Sequence, residues 1–440
     1  MGRLHVLAVL VIGIFASVCH GGGVEIVASR QKAQLFPTRA TVPADLFSLN
    51  VINLDYGVLW PTVKFSGWRS FESVWTKVEP ERARWNLEKL DGQVALALAN
   101  GVDLMLALQS PPTWASSRPN EFGCCTPLAQ NGNRAPPANI EDWRHYVRTI
   151  ATRYKGKVNY YELWNEPNES RFFSGSLDDL IALNRAAYQE LKAVDPFVTV
   201  VSSGMSPCCQ SLQYLEEYFR KGGAQNFDVL GYHFYVAPKP PEASLEKIAA
   251  VRRLAQKYGI KKPLWNTESG WKILNRDRND LDSEYWAGSA LSPELGGAYL
   301  ARSYLLGWAA GVERSFWYAW GHRSMGMTDY AGKNPNEVAK AFSTLQHWLV
   351  GATLSKCSEM ENAVWRCDLA RGLNGRGAIL WAAKGDILLS KRKIDESFHW
   401  QEDLSGVRRT NVSLSEIILG ASPILFINRE WSSDRDGSEI

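Results

Sequence analysis

From about residue 45 to residue 350, short apolar runs alternate with longer stretches whose apolar positions recur every three to four residues. The second pattern is that of a helix with one buried face, and the first that of a strand. Residues 46–53, 62–66, 103–108, 158–164, 198–203, 229–234, 263–267 and 314–317 read as strands. Residues 87–99, 141–154, 177–194, 212–221, 245–258, 296–310 and 337–349 read as helices. Strands alternating with helices predict an α/β fold with parallel strands, a (β/α)8 TIM barrel over residues 41–350. A doubly wound open sheet is the competing architecture, but no glycine-rich nucleotide loop follows the first strand.

After residue 351 the period changes. Residues 362–368, 377–382, 387–389, 417–418 and 424–427 read as short strands, with turns at Asn374-Gly375 and Lys384-Gly385-Asp386. They predict a small C-terminal β-sandwich from residues 351–431 together with 24–40, where residues 24–35 add one more strand. Residues 432–440 read as a flexible tail. At the other end, Arg3 and His5 precede an apolar run over residues 6–18. That is the layout of a secretory signal peptide over residues 1–22, with a retained N-terminal anchor as the alternative, so the chain is expected to be secreted or periplasmic.

Composition changes the picture in two places. A net charge of +3 argues against nucleic acid or an anionic membrane as partner, and a monomer is expected. Eighteen tryptophans is a high count. Most belong in cores, but indole faces also match the apolar faces of sugar rings. Trp114, Trp271 and Trp320 fall just beyond predicted strand ends and are candidate stacking platforms. Asn53 closes the first predicted strand, as a contact for substrate or for the barrel network. If Cys19 leaves with the signal, six of the seven cysteines remain, an even number that suits disulfides in an exported chain. Cys357 and Cys367 flank a predicted hairpin and should pair. The doublets Cys124-Cys125 and Cys208-Cys209 lie after the third and fifth strands; bridges between doublets are the preferred reading and vicinal bridges the alternative. No Cys/His spacing suggests a metal site, and no cofactor is expected.

Two glutamates carry the chemistry. The run Tyr160-Tyr161-Glu162-Leu163-Trp164 ends in Asn165-Glu166-Pro167, and Pro263-Leu264-Trp265 ends in Asn266-Thr267-Glu268. Each glutamate stands where a strand gives way to a loop, the end of a barrel at which active sites form. With these motifs the chain resembles the clan A retaining glycoside hydrolases, most closely family 39, which includes β-xylosidases and exopolysaccharide glycosidases. The resemblance implies a metal-free enzyme that hydrolyses O-glycosidic bonds of a polysaccharide or oligosaccharide, with Glu166 as general acid/base and Glu268 as nucleophile. It implies that Arg69, after the second predicted strand, supports the nucleophile. It also implies that His233 and Tyr235, at the end of the sixth strand, contact the substrate and the nucleophile. Asn165 carries amide groups suited to a sugar 2-hydroxyl. His322 and Arg323, past the eighth strand, are further candidates. The loops 116–139 and 272–292 are expected to wall the cleft. Many relatives carry a glycine where Ala83 or Arg84 stands here. A transglycosylase that remodels exopolysaccharide and a non-catalytic carbohydrate-binding barrel remain as alternatives.

Overall fold

A computed structural model describes residues 32–52, 54, 57–123, 130–208, 210–275, 289–410 and 415–431. After a short strand β1 (Gln34–Leu35), eight strands form one sheet: β2 (Phe47–Asn50), β3 (Gly67–Ser70), β4 (Asp103–Leu108), β5 (Tyr160–Leu163), β6 (Thr199–Val201), β7 (Leu230–His233), β8 (Leu264–Ser269) and β9 (Val312–Tyr318). All neighbouring pairs are parallel, and β2 pairs with β9. Between β6 and β7 the ladder thins to single bridges, Val201 with Val229 and Met205 with Tyr232, which close the barrel.

The helices follow the strands. α1 (Trp75–Val78) and α2 (Glu88–Ala99) come after β3, then α3 (Ile140–Arg153), α4 (Leu177–Val194), α5 (Ser211–Arg220), α6 (Ser244–Lys257), α7 (Pro293–Ala309) and α8 (Glu337–Leu349), one after each later strand. Their starts have local causes. Ser176 and Asp179 form a reciprocal capping box at the start of α4, and Asn139, Ser292 and Asn336 cap α3, α7 and α8 with side-chain acceptors. Among its described residues the connection from β2 to β3 carries no α-helix.

One predicted strand is displaced. The second strand was expected at residues 62–66, but β3 runs from Gly67 to Ser70 and contains Arg69. Val63 and Phe65 instead pack from the preceding loop against the core, with Phe65 against Trp60. A fully buried arginine inside a strand defeats a reading based on apolar runs. Ala83 has φ +63°, the left-handed region that favours glycine, and its backbone N–H donates to Glu79 at 2.8 Å.

The bottom of the barrel is plugged by Arg314. Its guanidinium lies over Tyr160, Trp265 and Phe316 and pairs with Asp103 at 3.1 Å. Gly67 is required there, because a Cβ would come within 2.5 Å of Arg314 Nη2. With that end filled, only the other mouth of the barrel, at the strand C-termini, is left for a site.

The chain then forms an antiparallel module: β10 (Thr353–Glu359), β11 (Val364–Arg371), β12 (Gly375–Ala382), β13 (Ile387–Ser390), a short α9 (Lys391–Ile394), β14 (Trp400–Asp403), β15 (Arg408–Thr410), β16 (Glu416–Leu419) and β17 (Ile424–Ile427). Seven strands make one sheet in the order β1-β10-β11-β12-β17-β14-β15, and β13 pairs with β16 as a separate ribbon. Leu389, Ile417 and Leu419 of the ribbon cluster with Ala378, Leu380 and Phe426 of the sheet, so the two layers share a core. β10, β14 and β15 were not foreseen; Lys356, Glu359, Glu402, Arg408 and Arg409 make them too polar to read as strands. β1 lies within the extra strand expected at residues 24–35, whose first eight residues are outside the described residues. Cys357 and Cys367 face each other across β10 and β11 and form a disulfide. Among the described residues no helix is long and apolar enough to cross a membrane.

Three polar ties fasten this module to the barrel. Glu242 pairs with the buried Arg302 of α7 and accepts the indole N–H of Trp381 at 2.9 Å. Glu402 accepts the indole N–H of Trp348 in α8 at 3.1 Å and pairs with Arg408 at 3.2 Å. Arg371 Nη2 donates to the carbonyls of His347, Trp348 and Val350, at the C-terminus of α8.

Candidate active site

Just beyond β5 the backbone turns sharply. Trp164 and Glu166 both have positive φ, +69° and +45°. Non-glycine residues hold that conformation at a cost of about 1–3 kcal/mol each, and only where their surroundings enforce it. Here the enforcement is visible. Trp164 is wedged between Trp143 and Phe173. The Asn165 N–H donates to Gln109 Oε1 at 2.8 Å, and the Glu166 N–H donates to the Gly204 carbonyl at 2.8 Å. Glu166 is thereby aimed across the mouth of the barrel.

Glu268 reaches the same place by another irregularity. Tyr232 pairs with Asn266 and His233 with Glu268, so Thr267 is an extra residue in β8. Bulges of this kind re-aim side chains beside active sites. One oxygen from each of Glu166 and Glu268, and a ring nitrogen of His233, all lie within 4.8 Å of one another.

Around Glu268 the partners are polar. Arg69 Nη1 donates to its Oε2 at 2.6 Å and the Tyr235 hydroxyl donates to its Oε1 at 2.9 Å. Arg69 is itself held on three more sides: Nε donates to Glu162 at 2.7 Å, Nη2 to Asn165 Oδ1 at 2.7 Å, and Nη1 to Asn50 Oδ1 at 3.3 Å. Burial opposes the charge of Arg69, but Glu162 and Glu268 outweigh it and raise its pKa.

Around Glu166 the setting is different. Burial is the main cause that pushes its carboxyl up to about 8, with Glu169 adding to the rise and Arg171 and Arg69 opposing it. His233 Nδ1 lies 2.8 Å from Glu166 Oε1. Burial is also what lowers the imidazole to about 4, so at neutral pH this contact joins two uncharged groups rather than an ion pair. Tyr235 is pushed well above the usual tyrosine range, first by burial and then by Glu268, and remains a hydroxyl donor.

The Glu166–His233–Glu268 group is the one close cluster of ligand-type side chains among the described residues. A cation placed there would sit against the Arg69 guanidinium, and the ligand atoms are already engaged, Glu166 with His233 and Glu268 with Arg69 and Tyr235.

No family model matches the sequence. A β-xylosidase of Caldicellulosiruptor saccharolyticus is 27% identical over 142 residues, which span 30% of this chain and only 28% of that protein. A family 39 glycoside hydrolase from the gut symbiont Bacteroides cellulosilyticus WH2 superposes with a TM-score of 0.64 at 19% identity, covering 83% of this chain and 76% of its own. A family 39 β-xylosidase from Caulobacter crescentus gives 0.59 at 14%, covering 90% and 98%. A family 30 endoxylanase from Clostridium papyrosolvens C71 gives 0.56 at 13%, covering 90% and 97%. The fold is that of the family 39 and family 30 glycoside hydrolases.

Within that fold, several expected positions fall elsewhere. Arg69 lies in β3, not after the second strand, and contacts Glu268 directly. His233 contacts Glu166, while Tyr235 contacts Glu268. Trp320 has no exposed surface and donates its indole N–H to Leu59 O at 2.9 Å. Trp271 is buried between Trp317 and Tyr299. Neither ring offers a face to a sugar; both are core. Trp114 is partly buried, edge-on to Trp75, with Arg82 lying 4.3 Å over its ring. His322 Nδ1 accepts backbone N–H groups of Ser324 and Met325, and Arg323 lies over Tyr330. Asn53, Cys124, Cys125, Cys209 and much of the two expected cleft walls lie outside the described residues. Asn50, which ends β2, holds the place in the network foreseen for Asn53.

Two participants were missed. Glu162 is fully buried in β5 and carries Arg69; Gln109 fixes the Asn165 backbone. A carboxylate in the middle of a buried strand demands a cation, and Arg69, in an equally apolar stretch, demands an anion. Matching those two demands was the available signal.

Proposed function

We propose that the chain is a retaining β-glycosidase that hydrolyses a β-linked polysaccharide or oligosaccharide by double displacement. The observation that carries this reading is the proximity of Glu166 and Glu268 oxygens, within 4.8 Å. Retaining enzymes keep their carboxyl groups about 5–5.5 Å apart, while inverting ones leave about 6.5–9.5 Å for a water. Three of the four relatives described above are named as β-xylosidases or an endoxylanase, which supports a β-linked sugar without choosing one.

In the first step Glu268 attacks the anomeric carbon while Glu166 gives its proton to the leaving oxygen; the glycosidic bond breaks and an ester forms on Glu268. In the second step Glu166, now ionised, takes a proton from water; the water oxygen bonds to the anomeric carbon and Glu268 leaves as carboxylate. Arg69 and Tyr235 hold Glu268 in line for attack. Arg69 occupies Asn165 Oδ1, which leaves the Asn165 amide nitrogen to serve as the donor for a sugar 2-hydroxyl. The buried disulfide fits export from a reducing cytoplasm.

The test is turnover of a panel of aryl β-glycosides followed by proton NMR of the first product. The β-anomer is expected before mutarotation. A first product in the α configuration would sink the mechanism. Product analysis with an added acceptor sugar separates hydrolysis from transglycosylation.

A further inference from the structure

The turn that follows Glu166 brings a second, unassigned ion pair beside it. The Glu169 N–H donates to the Glu166 carbonyl at 3.0 Å, and the Phe172 and Phe173 N–H groups donate to the Glu169 carbonyl at 2.9 and 3.1 Å. This tight turn stacks residues 166, 169 and 171 on one side. Arg171 Nε donates to Glu169 Oε2 at 2.6 Å, while its Nη2 stands 3.9 Å from Glu166 Oε2. The first contact is a hydrogen-bonded ion pair; the second is too long for a hydrogen bond yet within reach of a small rotation. Half of the Arg171 side chain is exposed, and its guanidinium lies 4.7 Å over the Phe172 ring, a flat surface on which it can slide. Glu169 is anchored separately by Ser206 and Cys208.

We propose that Arg171, tethered by Glu169, is a positioning residue for Glu166: it stays on Glu169 while Glu166 carries its proton and turns its Nη2 onto Glu166 once that proton has gone to the leaving oxygen. This rests on the retaining reading above, in which Glu166 must be an acid in one step and a base in the next. The tether matters because a free arginine beside Glu166 would ionise it too early. Glu169 occupies that charge until a second carboxylate competes for it.

The other groups that face Glu166 are His233 from β7, Glu268 from β8, Arg69 from β3, and the hydroxyls of Tyr235 and Tyr318. His233 is uncharged at neutral pH, Arg69 is committed to Glu162 and Glu268, and the tyrosines do not ionise in the working range. Glu169 and Arg171 are therefore the pair whose removal changes the field at Glu166 without dismantling the nucleophile.

The test needs no substrate. The Glu166 carboxyl carbon is followed by 13C NMR in protein labelled at glutamate, assigned by its loss in Glu166→Gln, in the wild type, Arg171→Met and Glu169→Gln. Arg171→Met should move the midpoint up and Glu169→Gln should move it down, each by at least about half a pH unit. A merely structural role would let water in and move both variants down, toward an ordinary carboxyl; that result, or no movement, would overturn the proposal. In a second arm, any active aryl β-glycoside from the panel is used to time the two steps, and Arg171→Met should slow deglycosylation more than glycosylation. If the panel shows no turnover, the glycosidase reading fails while the titration still judges the electrostatic pair.

Discussion

Glu166 and Glu268 are equally buried, each with 7% of its surface exposed, yet their surroundings are opposites. Glu268 accepts hydrogen bonds from a guanidinium and a phenol. Glu166 has an uncharged imidazole at 2.8 Å and its nearest cation already paired elsewhere. Burial alone therefore does not decide what a carboxyl does. The same loss of water that keeps one group protonated strengthens the pairing of the other with Arg69. Two side chains of one type acquire two roles from the company they keep.

The sharpest way to break this contrast is to remove each charge in turn. Glu268→Gln should lose turnover on every substrate, by about 10^4-fold or more, because no ester can form. Glu166→Gln should keep part of its glycosylation rate on aryl glycosides with good leaving groups, lose roughly 10^2–10^4-fold where protonation is needed, and be rescued by azide as a β-glycosyl azide. Rescue of Glu268→Gln instead, with none of Glu166→Gln, would reverse the two roles.

The second test is the pH dependence of kcat/KM. The acid must carry its proton, so activity should fall as pH rises through about 8, the value to which burial pushes Glu166. A profile flat to pH 10 would remove Glu166 as the acid.

Stability offers a third, in which the two glutamates should move in opposite directions. An unfolded glutamate titrates near about 4.3. Between that pH and about 8 the folded chain holds a Glu166 proton that the unfolded chain has released. Stability from this group is thus full at low pH and falls as pH rises across that window. Glu166→Gln should raise the melting temperature at pH 8, by the equivalent of a few kcal/mol, and have little effect at pH 4. Glu268→Gln should lower it at pH 8, since the buried Arg69 loses an anionic partner. The smallest effect belongs to Tyr235→Phe, which deletes one hydrogen bond to Glu268 and should cost about tenfold in kcat with no change in the alkaline limb.

The two regions also differ in how far they could be read from sequence. The Glu166 side was legible because Asn165-Glu166-Pro167 is contiguous and ends a clear apolar run. The Glu268 side depends on Arg69, Glu162 and Asn50, which are brought together from three strands and lie in stretches that look like core. α4 and α8 fall where their periodicity places them, because one apolar face sets each, and β4 and β17 fall where their short, continuous apolar runs place them. β3 was displaced because its central side chain is a buried cation, and Trp271 and Trp320 were misplaced because an indole at a strand end serves a core as readily as a sugar. The ion pair of Glu169 and Arg171 had no signal at all, since two charges two residues apart meet only when a turn folds them onto one side.

The polar ties between the C-terminal module and the barrel have a practical consequence for anyone who would shorten this protein. A chain ended near residue 350 would lose Trp381 from Glu242, strip the Trp348 indole of its acceptor, and leave the carbonyls at the end of α8 without the Arg371 guanidinium. The first loss falls beside α7, whose Arg302 pairs with Glu242, and the other two fall on α8, the last helix of the ring, which follows the strand paired with β2. The catalytic half is therefore not a detachable part: calorimetry of the intact protein should show one melting event for both modules, and a minimal enzyme must keep the sandwich as its clasp.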